Sequence, residues 1–282
     1  MEPEPVRRAI AAFVLAASFG NPSHAADKSG YSLLNPTPDA LLRDMSTDRP
    51  DKTESPYTVD AGHLQIETDL VAYTHDSQDG ITTRTLDVAP FNLKAGLTND
   101  TDLQLVYGAF SRIRTSGGGV AQTDSGTGDL LVRLKHNIWG NDGGTTALAV
   151  MPFVKFPTNT LAGLNDDVEG GVIVPLAIDL GHGMGLGLMS EIDMLKGETG
   201  SGYEPAFVNS ATVSFELTSR LGMYVEAFVE RSVESGAETV VTIDGGFTFA
   251  VTENLQLDAG ANIGATRAAD DLNIFAGLSQ RY

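Results

Sequence analysis

The sequence of 282 residues contains no cysteine, one tryptophan and few cations. Without cysteine, a small scaffold held by disulfide bonds is excluded. Lysine and arginine number 18 against 37 aspartates and glutamates, a formal net charge of −19. This balance argues against nucleic acid as a partner, because the phosphate backbone would be repelled. No uninterrupted apolar run approaches the roughly 20 residues that a membrane-spanning helix needs, so a helical transporter is also excluded.

The first 25 residues have the order of parts found in a secretory signal peptide. Arg7 and Arg8 precede an apolar stretch from Ala9 to Phe19, and Ser23 and Ala25 supply the small residues of a cleavage site. We therefore predict residues 1–25 to be an export signal, with the cut after Ala25. Residues 26–62 are polar and interrupted by prolines at positions 36, 38, 50 and 56. They read as a linker, with one short helix near Leu41.

From residue 63 to the end, apolar residues alternate with polar or small ones at a period of two, which predicts β-strands. We count about twelve such runs of roughly 11–14 residues, longer than strands of soluble proteins and suited to crossing a bilayer at a tilt. The predicted strands cover residues 63–73, 84–97, 101–114, 127–139, 145–157, 167–180, 184–195, 204–218, 221–233, 238–251, 254–265 and 270–282.

The predicted connections alternate between short turns and longer loops, as in a transmembrane β-barrel with periplasmic turns and extracellular loops. Residues 74–83 and 115–126 are two of the predicted long loops. A soluble β-sandwich or lipocalin-like barrel would alternate as well. Strand length and the terminal aromatic residue Tyr282 favour the membrane. We predict an all-β fold, a single transmembrane antiparallel up-and-down β-barrel of about 12 strands spanning residues 63–282.

With the apolar face outward, the charged residues of the strands point into the lumen and separate by sign. The predicted basic wall contains Lys94, Arg112, Arg133, Lys135 and Lys155. The predicted acidic wall contains Asp179, Glu191, Asp193, Glu216, Glu226, Glu230, Asp244 and Asp258. Such walls either set a transverse field across a water-filled pore or pair and seal a narrow barrel. Inward glycines, Gly96 and Gly277 among them, are expected to give the lumen room.

A barrel enzyme that modifies lipids is the alternative from another functional class. Acyl transfer would need a serine, a histidine and an orienting group on neighbouring strands. His63, His75, His136 and His182 fall at loops, turns or the lipid face, so we predict no catalytic residues. Asp166–Asp167 and Asp270–Asp271 are expected to be solvated loop carboxylates, and we predict no metal site and no cofactor.

Several segments resemble an outer-membrane transporter family named for the meta-pathway of phenol degradation. The resemblance begins at Ser46-Thr47-Asp48-Arg49-Pro50-Asp51 and continues through residues 53–59 and 62–67. Residues 92–98, 126–130, 155–158 and 275–278 are similar to later segments of that family. The resemblance implies passage of organic or aromatic compounds across the bacterial outer membrane. It also implies that residues around Asp48, Arg49, Pro50 and Asp51 dock at the periplasmic mouth or in the lumen, where Arg49 could meet the acidic wall.

We therefore expect a channel for small organic solutes, with a sealed structural barrel or a lipid-modifying enzyme as alternatives. The expected partners are outer-membrane lipids and lipopolysaccharide, the barrel-assembly machinery through the strand ending in Tyr282, and the solute itself. Residues 26–62 are expected to form either a plug or a periplasmic extension.

Overall fold

The computed structural model describes residues 27–161, 166–197, 202–234 and 236–282. The predicted export signal lies outside these residues. Strands of one antiparallel sheet dominate, and the sheet closes on itself as a barrel. A single turn of 3₁₀ helix covers Asp39–Leu41. Over the described ranges, no helix has the length and apolar character to cross a membrane.

Fifteen strands form the sheet, and we number them β1 to β15 along the chain. They are β1 (Leu64–Gln78), β2 (Ile81–Val88), β3 (Phe91–Thr98), β4 (Thr101–Tyr107), β5 (Phe110–Gly117), β6 (Val120–Gly126), β7 (Leu130–Trp139), β8 (Thr146–Phe156), β9 (Glu169–Gly181), β10 (Met184–Lys196), β11 (Tyr203–Glu216), β12 (Leu221–Ser232), β13 (Val240–Thr252), β14 (Leu255–Gly264) and β15 (Leu272–Arg281).

Three of the crossings are broken into two pieces each, which reconciles fifteen strands with a twelve-stranded barrel. β2 and β3 both pair with β1. β3 pairs with the first part of β1, from Leu64 to Thr68, and β2 pairs with the second part, from Val71 to Gln78. The second crossing is broken between β4 and β5, and the third is broken between β6 and β7. The pieces pair in register, because β4 pairs with β7 and β5 pairs with β6. At the first break Ala89 adopts a φ of 53°, and the following Pro90 has no amide hydrogen for the ladder. The prediction of about 12 strands is confirmed.

The barrel closes where the first strand meets the last. β1 pairs antiparallel with β15 from Gln65 opposite Arg281 to His75 opposite Leu272, with a bulge between Asp69 and Val71. The backbones of Leu64 and Tyr282 complete the seam through N–H···O bonds of 3.3 and 2.8 Å. This pairing closes the ring of strands, as a lipid environment requires. Among the described strands, β6 at the end of the sheet order pairs with β5 alone.

The two faces of the wall differ in chemistry. Outward positions carry exposed apolar side chains, for example Leu70, Phe207, Ile243 and Phe249. Inward positions carry buried polar ones, and the fully buried large side chains include Lys135, Gln65, Gln104 and Glu226. This is the reverse of a soluble β protein and matches a transmembrane barrel.

Two predicted long loops are wrong. Residues 74–83 and 115–126 are the ends of β-hairpins: β1 and β2 turn at Asp79-Gly80, and β5 and β6 turn at residues 118–119. Asp79, Gly80, Gly118 and Gly119 all have positive φ, the conformation that tight hairpin turns need. These four strand ends build a sheet that extends beyond the remaining hairpins.

Candidate functional site

Residues 46–60 run inside the barrel, and we name them the lumen segment. The segment is anchored at the end of the barrel that carries the short turns and the C-terminus. There the Thr58 N–H donates to Asn141 Oδ1 at 3.1 Å, and the Val59 N–H donates to Asp102 Oδ2 at 3.0 Å. The segment therefore enters at the end with the short turns, which is the end that faces the periplasm in barrels of this kind.

Asp48 connects the segment to the basic wall. Its carboxylate lies 2.5 Å from Lys94 Nζ and 2.6 Å from Lys135 Nζ. Lys94 also pairs with Glu67 at 2.5 Å, and Glu67 in turn accepts the Asp48 backbone N–H at 3.0 Å. Further along the segment, Glu54 pairs with Arg133 at 2.6 Å. Three of the five cations that the sequence assigns to the lumen, Lys94, Arg133 and Lys135, are thus neutralised by the segment.

Arg49 makes the complementary contacts with carboxylates on β1 and β14. Its Nη2 lies 2.6 Å from Asp69 Oδ1 and 2.7 Å from Asp258 Oδ1, and its Nε adds a second bond to Asp258. The guanidinium also sits 5.7 Å from the ring centroid of Phe275. A guanidinium donates to two carboxylates at once in a fixed plane. Arg49 therefore fixes the orientation of the segment against β1 and β14.

The next residues reach β11, β12 and β13. The Glu226 carboxylate accepts the backbone N–H groups of Lys52 and Thr53 at 2.9 and 2.8 Å. The Lys52 ammonium pairs with Asp244 at 3.2 Å and lies over the Phe228 ring. The Thr53 hydroxyl lies 2.6 Å from the Ser210 hydroxyl. Backbone and side chains of the segment thus share one network with the acidic wall.

Two inward glycines make room for the segment. A Cβ at Gly277 would lie 2.3 Å from Arg49 Nη2, and a Cβ at Gly96 would lie 2.0 Å from the Asp60 carbonyl oxygen. Both distances are far inside van der Waals contact. We expected these glycines to widen the lumen, and they accommodate the segment that occupies it.

The ionisation of the segment's carboxyl groups differs from one to the next. Burial alone would raise the pKa of Asp48, but Lys135 and Lys94 outweigh it and hold the pKa well below its usual range. Burial and the adjacent Glu226 carboxylate raise the pKa of Asp51 to about 8. Burial also raises the pKa of Glu54 to about 7, against the attraction of Arg133. Asp51 is therefore mostly protonated at neutral pH, while Asp48 is charged.

A cavity of about 750 Å³ separates the segment from the wall at the periplasmic mouth. Its lining includes Asp51, Tyr57, Asp179, Glu216 and Tyr224. Deeper in the lumen the wall carries an inward apolar patch of Met151, Ile173, Met189 and Val208, which packs against Phe153 and Phe228. The lumen thus contains both charged and apolar side chains, and the apolar ones are buried with the segment docked.

The remaining residues of the two predicted walls lie away from the segment or at its margins. Lys155 pairs with Glu169 near the far end of the lumen. Glu191, Asp193 and Glu230 occupy inward positions beyond the segment, on β10 and β12.

Arg112 does not belong to the predicted basic wall. It is exposed on the same face of β5 as Phe110, which is 43% exposed. Ser111 between them is the buried inward residue. The break at Gly108–Ala109 shifts the alternation by one residue, so every side chain after it changes face.

Four residues that contribute to the site were not assigned from the sequence. Asp102 is fully buried and accepts from the segment backbone, and Lys52, Thr53 and Glu54 make contacts as extensive as those of Asp48 and Arg49. Asp102 sits two residues before Gln104, so the same alternation places it inward. Lys52 to Glu54 belong to a stretch without periodicity, where the sequence offers no signal for a wall partner.

His182 lines the cavity beside the lumen segment, whereas the other described histidines lie elsewhere. His63 Nε2 lies 2.8 Å from the Thr37 carbonyl oxygen at the barrel seam, and His136 Nδ1 lies 2.9 Å from the Thr101 hydroxyl. His182 is in the turn between β9 and β10, and His75 lies near the end of β1. In the described part of the chain, no group of three or more histidine and carboxylate side chains is placed to hold a metal ion.

The closed barrel with an apolar exterior and a polar interior is an outer-membrane β-barrel of porin-like fold. Similar solved structures include an outer membrane channel from Pseudomonas putida F1, at 12% identity and a TM-score of 0.57, covering 84% of this chain and all of that one. The NanC porin (10% identity, TM-score 0.48, 77% and 98% coverage) and the CymD monoaromatic hydrocarbon channel (8%, 0.45, 78% and 87%) are more distant. Similarity this remote identifies the architecture alone.

The chain belongs to the family described as "Putative MetA-pathway of phenol degradation", whose model matches residues 47–282. The match begins inside the lumen segment and includes every strand of the barrel. This confirms the resemblance seen in the sequence. No curated protein matches the sequence.

Proposed function

We propose that the protein is an outer-membrane channel for passive movement of small organic solutes, aromatic ones included, and that the lumen segment closes it. The observation that carries the proposal is the composition of the lumen wall. Charged residues and an apolar patch of Met151, Ile173, Met189 and Val208 face the same interior. These apolar side chains are buried while the segment is docked, with Glu54 of the segment against Met189. Once the segment moves aside, a solute with an apolar body and a polar group would find surface for both in such a lumen.

The contacts of the lumen segment support a closed state that can open. Asp48 and Arg49 bind the wall through ion pairs, not through a continuous apolar core. These ion pairs are buried while the segment is docked. When the segment moves, water and counterions enter with the movement and replace them. The cavity of about 750 Å³ at the periplasmic mouth gives the segment space for such movement.

The setting that we propose follows from the same features. The chain is placed in the bacterial outer membrane after export, with phospholipid and lipopolysaccharide around its apolar belt. The last strand, ending at Tyr282, is recognised by the barrel-assembly machinery. The solute moves down its own gradient, and no catalysis is involved.

Planar-bilayer recording of the refolded protein without residues 1–25 tests the proposal. We expect discrete conductance steps that become larger when Asp48→Asn and Arg49→Gln loosen the segment. Liposome uptake of labelled phenol or benzoate then tests the solute class against a sugar of similar size. If neither the native chain nor the loosened variant conducts or admits solute, the channel function is wrong.

A locked segment gives the sharpest form of this test, because the native chain has no cysteine. Thr53 and Ser210 have hydroxyl oxygens 2.6 Å apart, close enough for Thr53→Cys and Ser210→Cys to form a disulfide after small adjustments. We expect the oxidised pair to abolish gating and dithiothreitol to restore it. The two single-cysteine variants are the controls and should respond to neither reagent.

A sealed structural barrel is the second candidate, favoured by the number of contacts between segment and wall. It predicts no conductance in the native chain, in the loosened variant or in the reduced cysteine pair. The channel proposal requires conductance in at least the loosened variant.

A further inference from the structure

The end of β1 together with β2, β5 and β6 forms a part of the sheet that we call the sheet extension. Its outer face carries arginines that face away from the lumen. Arg84, Arg112 and Arg114 are all exposed. Arg84 on β2 stands directly opposite Arg114 on β5, and Arg112 stands opposite Leu86 one step nearer the barrel. Residues on one face of a strand are about 7 Å apart at this spacing, and directly opposed pairs are closer. The three guanidinium groups therefore share one small area.

Nothing in the described part of the chain neutralises this cluster. Among those residues, none of the three arginines makes an ion pair with a carboxylate. His75 on β1 is opposite Arg84, and Thr123 on β6 is opposite Arg114, so the flanking partners are not acidic. Like charges directly opposed across strands are destabilising. An uncompensated cationic cluster is unexpected in a chain of net charge −19, unless an external anion completes it.

The position of the cluster indicates which anion this is. Immediately below it, toward the barrel, the same face carries the exposed apolar residues Leu86, Val88 and Phe110. The neighbouring carboxylates Asp76 and Asp87 lie at alternate positions, on the other face of the sheet. The cluster therefore lies at the rim of the apolar belt, on the end opposite the short periplasmic turns. A molecule with acyl chains and an anionic head group would meet both surfaces together.

We propose that Arg84, Arg112 and Arg114 form a binding site for the phosphate groups of lipopolysaccharide in the outer leaflet. Guanidinium groups bind phosphate oxygens in pairs, more specifically than ammonium groups do. One phosphate bridges Arg84 and Arg114, which relieves their mutual repulsion, and Arg112 binds from the adjacent row. The acyl chains of the lipid lie along Leu86, Val88 and Phe110. The site is independent of the lumen and of whether the barrel conducts.

Native mass spectrometry of the refolded protein without residues 1–25 tests this site, with EDTA present so that divalent cations cannot bridge lipid to carboxylates. The probes are bisphosphorylated lipid A, its dephosphorylated form and inorganic phosphate. We expect Arg84→Gln/Arg114→Gln to weaken binding of bisphosphorylated lipid A about tenfold, the loss of roughly one charge-assisted contact. Dephosphorylated lipid A should bind the native protein as weakly as the phosphorylated lipid binds the variant.

The matched control is Arg220→Gln/Arg231→Gln, which removes the same charge from exposed arginines elsewhere in the barrel. It should bind like the native chain, and all variants should keep the heat-sensitive electrophoretic shift of a folded barrel. Equal losses in the two double variants would reduce the effect to net charge and overturn the site. Equal binding of the two lipid A forms would also overturn it, as would binding of inorganic phosphate that matches that of the lipid.

Discussion

At the residue scale, the Asp48–Arg49 pair is the centre of the lumen. The two adjacent side chains carry opposite charges and bind different parts of the wall, Asp48 to Lys94 and Lys135 on β3 and β7, Arg49 to Asp69 and Asp258 on β1 and β14. An ion pair of this burial contributes little net stability, but loss of one partner is costly because the remaining charges stay buried. We call this pair the latch, because it holds the lumen segment against the wall. A single substitution in the latch should destabilise docking far more than the net stabilisation by the ion pairs suggests.

Arg49→Gln should undock the segment. The change leaves Asp69 and Asp258 facing each other without a cation, at a cost of about 3–5 kcal/mol. Hydrogen exchange of the Lys52 and Thr53 amides, which donate to Glu226, measures the docking directly. Arg49→Lys should recover only part of the protection, since an ammonium cannot reproduce the planar contacts. Unchanged exchange in Arg49→Gln would contradict the role of the latch.

Asp51 makes docking dependent on pH. Its pKa of about 8 in the docked state, set by burial and Glu226, lies above the ordinary carboxyl value of about 4. The docked state therefore holds a proton that the undocked state releases, and docking weakens as pH rises between about 4 and 8. We expect amide exchange in the segment to increase on going from pH 6 to pH 9, beyond the intrinsic chemical rate.

Asp51→Asn is the control for this pH effect, because the amide is neutral throughout and similar in shape. It should flatten the alkaline part of the profile. The acidic side should keep its own dependence, since Asp48 has a lowered pKa and stabilises docking only while ionised. A profile identical to that of the native chain would show that another group is responsible.

At the element scale, the sequence predicts the strands wherever one face meets lipid. The predicted span 221–233 matches β12 (Leu221–Ser232), and 184–195 matches β10 (Met184–Lys196). The prediction fails at the hairpins near residues 74–83 and 115–126, because strands beyond the bilayer have no apolar face and so no alternation. The predicted inward position of Arg112 is wrong because the chain breaks between β4 and β5 without a strong sequence signal. After that break, side chains that alternation places inward point outward. The Asp79-Gly80 dipeptide was an available hairpin signal.

The break between β2 and β3 can be tested by a single substitution. Ala89 has a φ of 53°, a left-handed conformation that disfavours a Cβ by about 1–2 kcal/mol. Ala89→Gly should raise the free energy of unfolding of the barrel by about 0.5–1 kcal/mol, after subtraction of the entropy cost of glycine, and so raise the urea midpoint. Ala95→Gly, within β3, should lower it by a similar amount. The same sign for both substitutions would contradict the strained geometry.

At the scale of the whole molecule, the fold could be predicted far better than the contents of the lumen. Alternation fixes which side chains point inward, so Lys94, Arg133, Lys135 and Asp258 could be named from the sequence. What they contact could not, because residues 46–60 have no periodicity and their partners lie up to 209 positions away. Only the family motif at Asp48 to Asp51 indicated that this stretch had a fixed position.

The balance of charge in the lumen leads to a prediction about ion selectivity. When the segment is displaced, its own charges leave the wall, and inward carboxylates outnumber inward cations. Glu67, Asp69, Asp102, Glu226, Asp244 and Asp258 then face Lys94, Arg133 and Lys135. A path lined mainly by carboxylates favours cations on electrostatic grounds.

The loosened variant Asp48→Asn/Arg49→Gln should therefore be cation-selective by a few-fold, as measured by its reversal potential in a KCl gradient. Adding Glu226→Gln and Asp244→Asn should reduce that preference, whereas Glu253→Gln, in the short turn after β13, should leave it unchanged. Anion selectivity in the loosened variant would mean that ions follow a route other than this acidic wall.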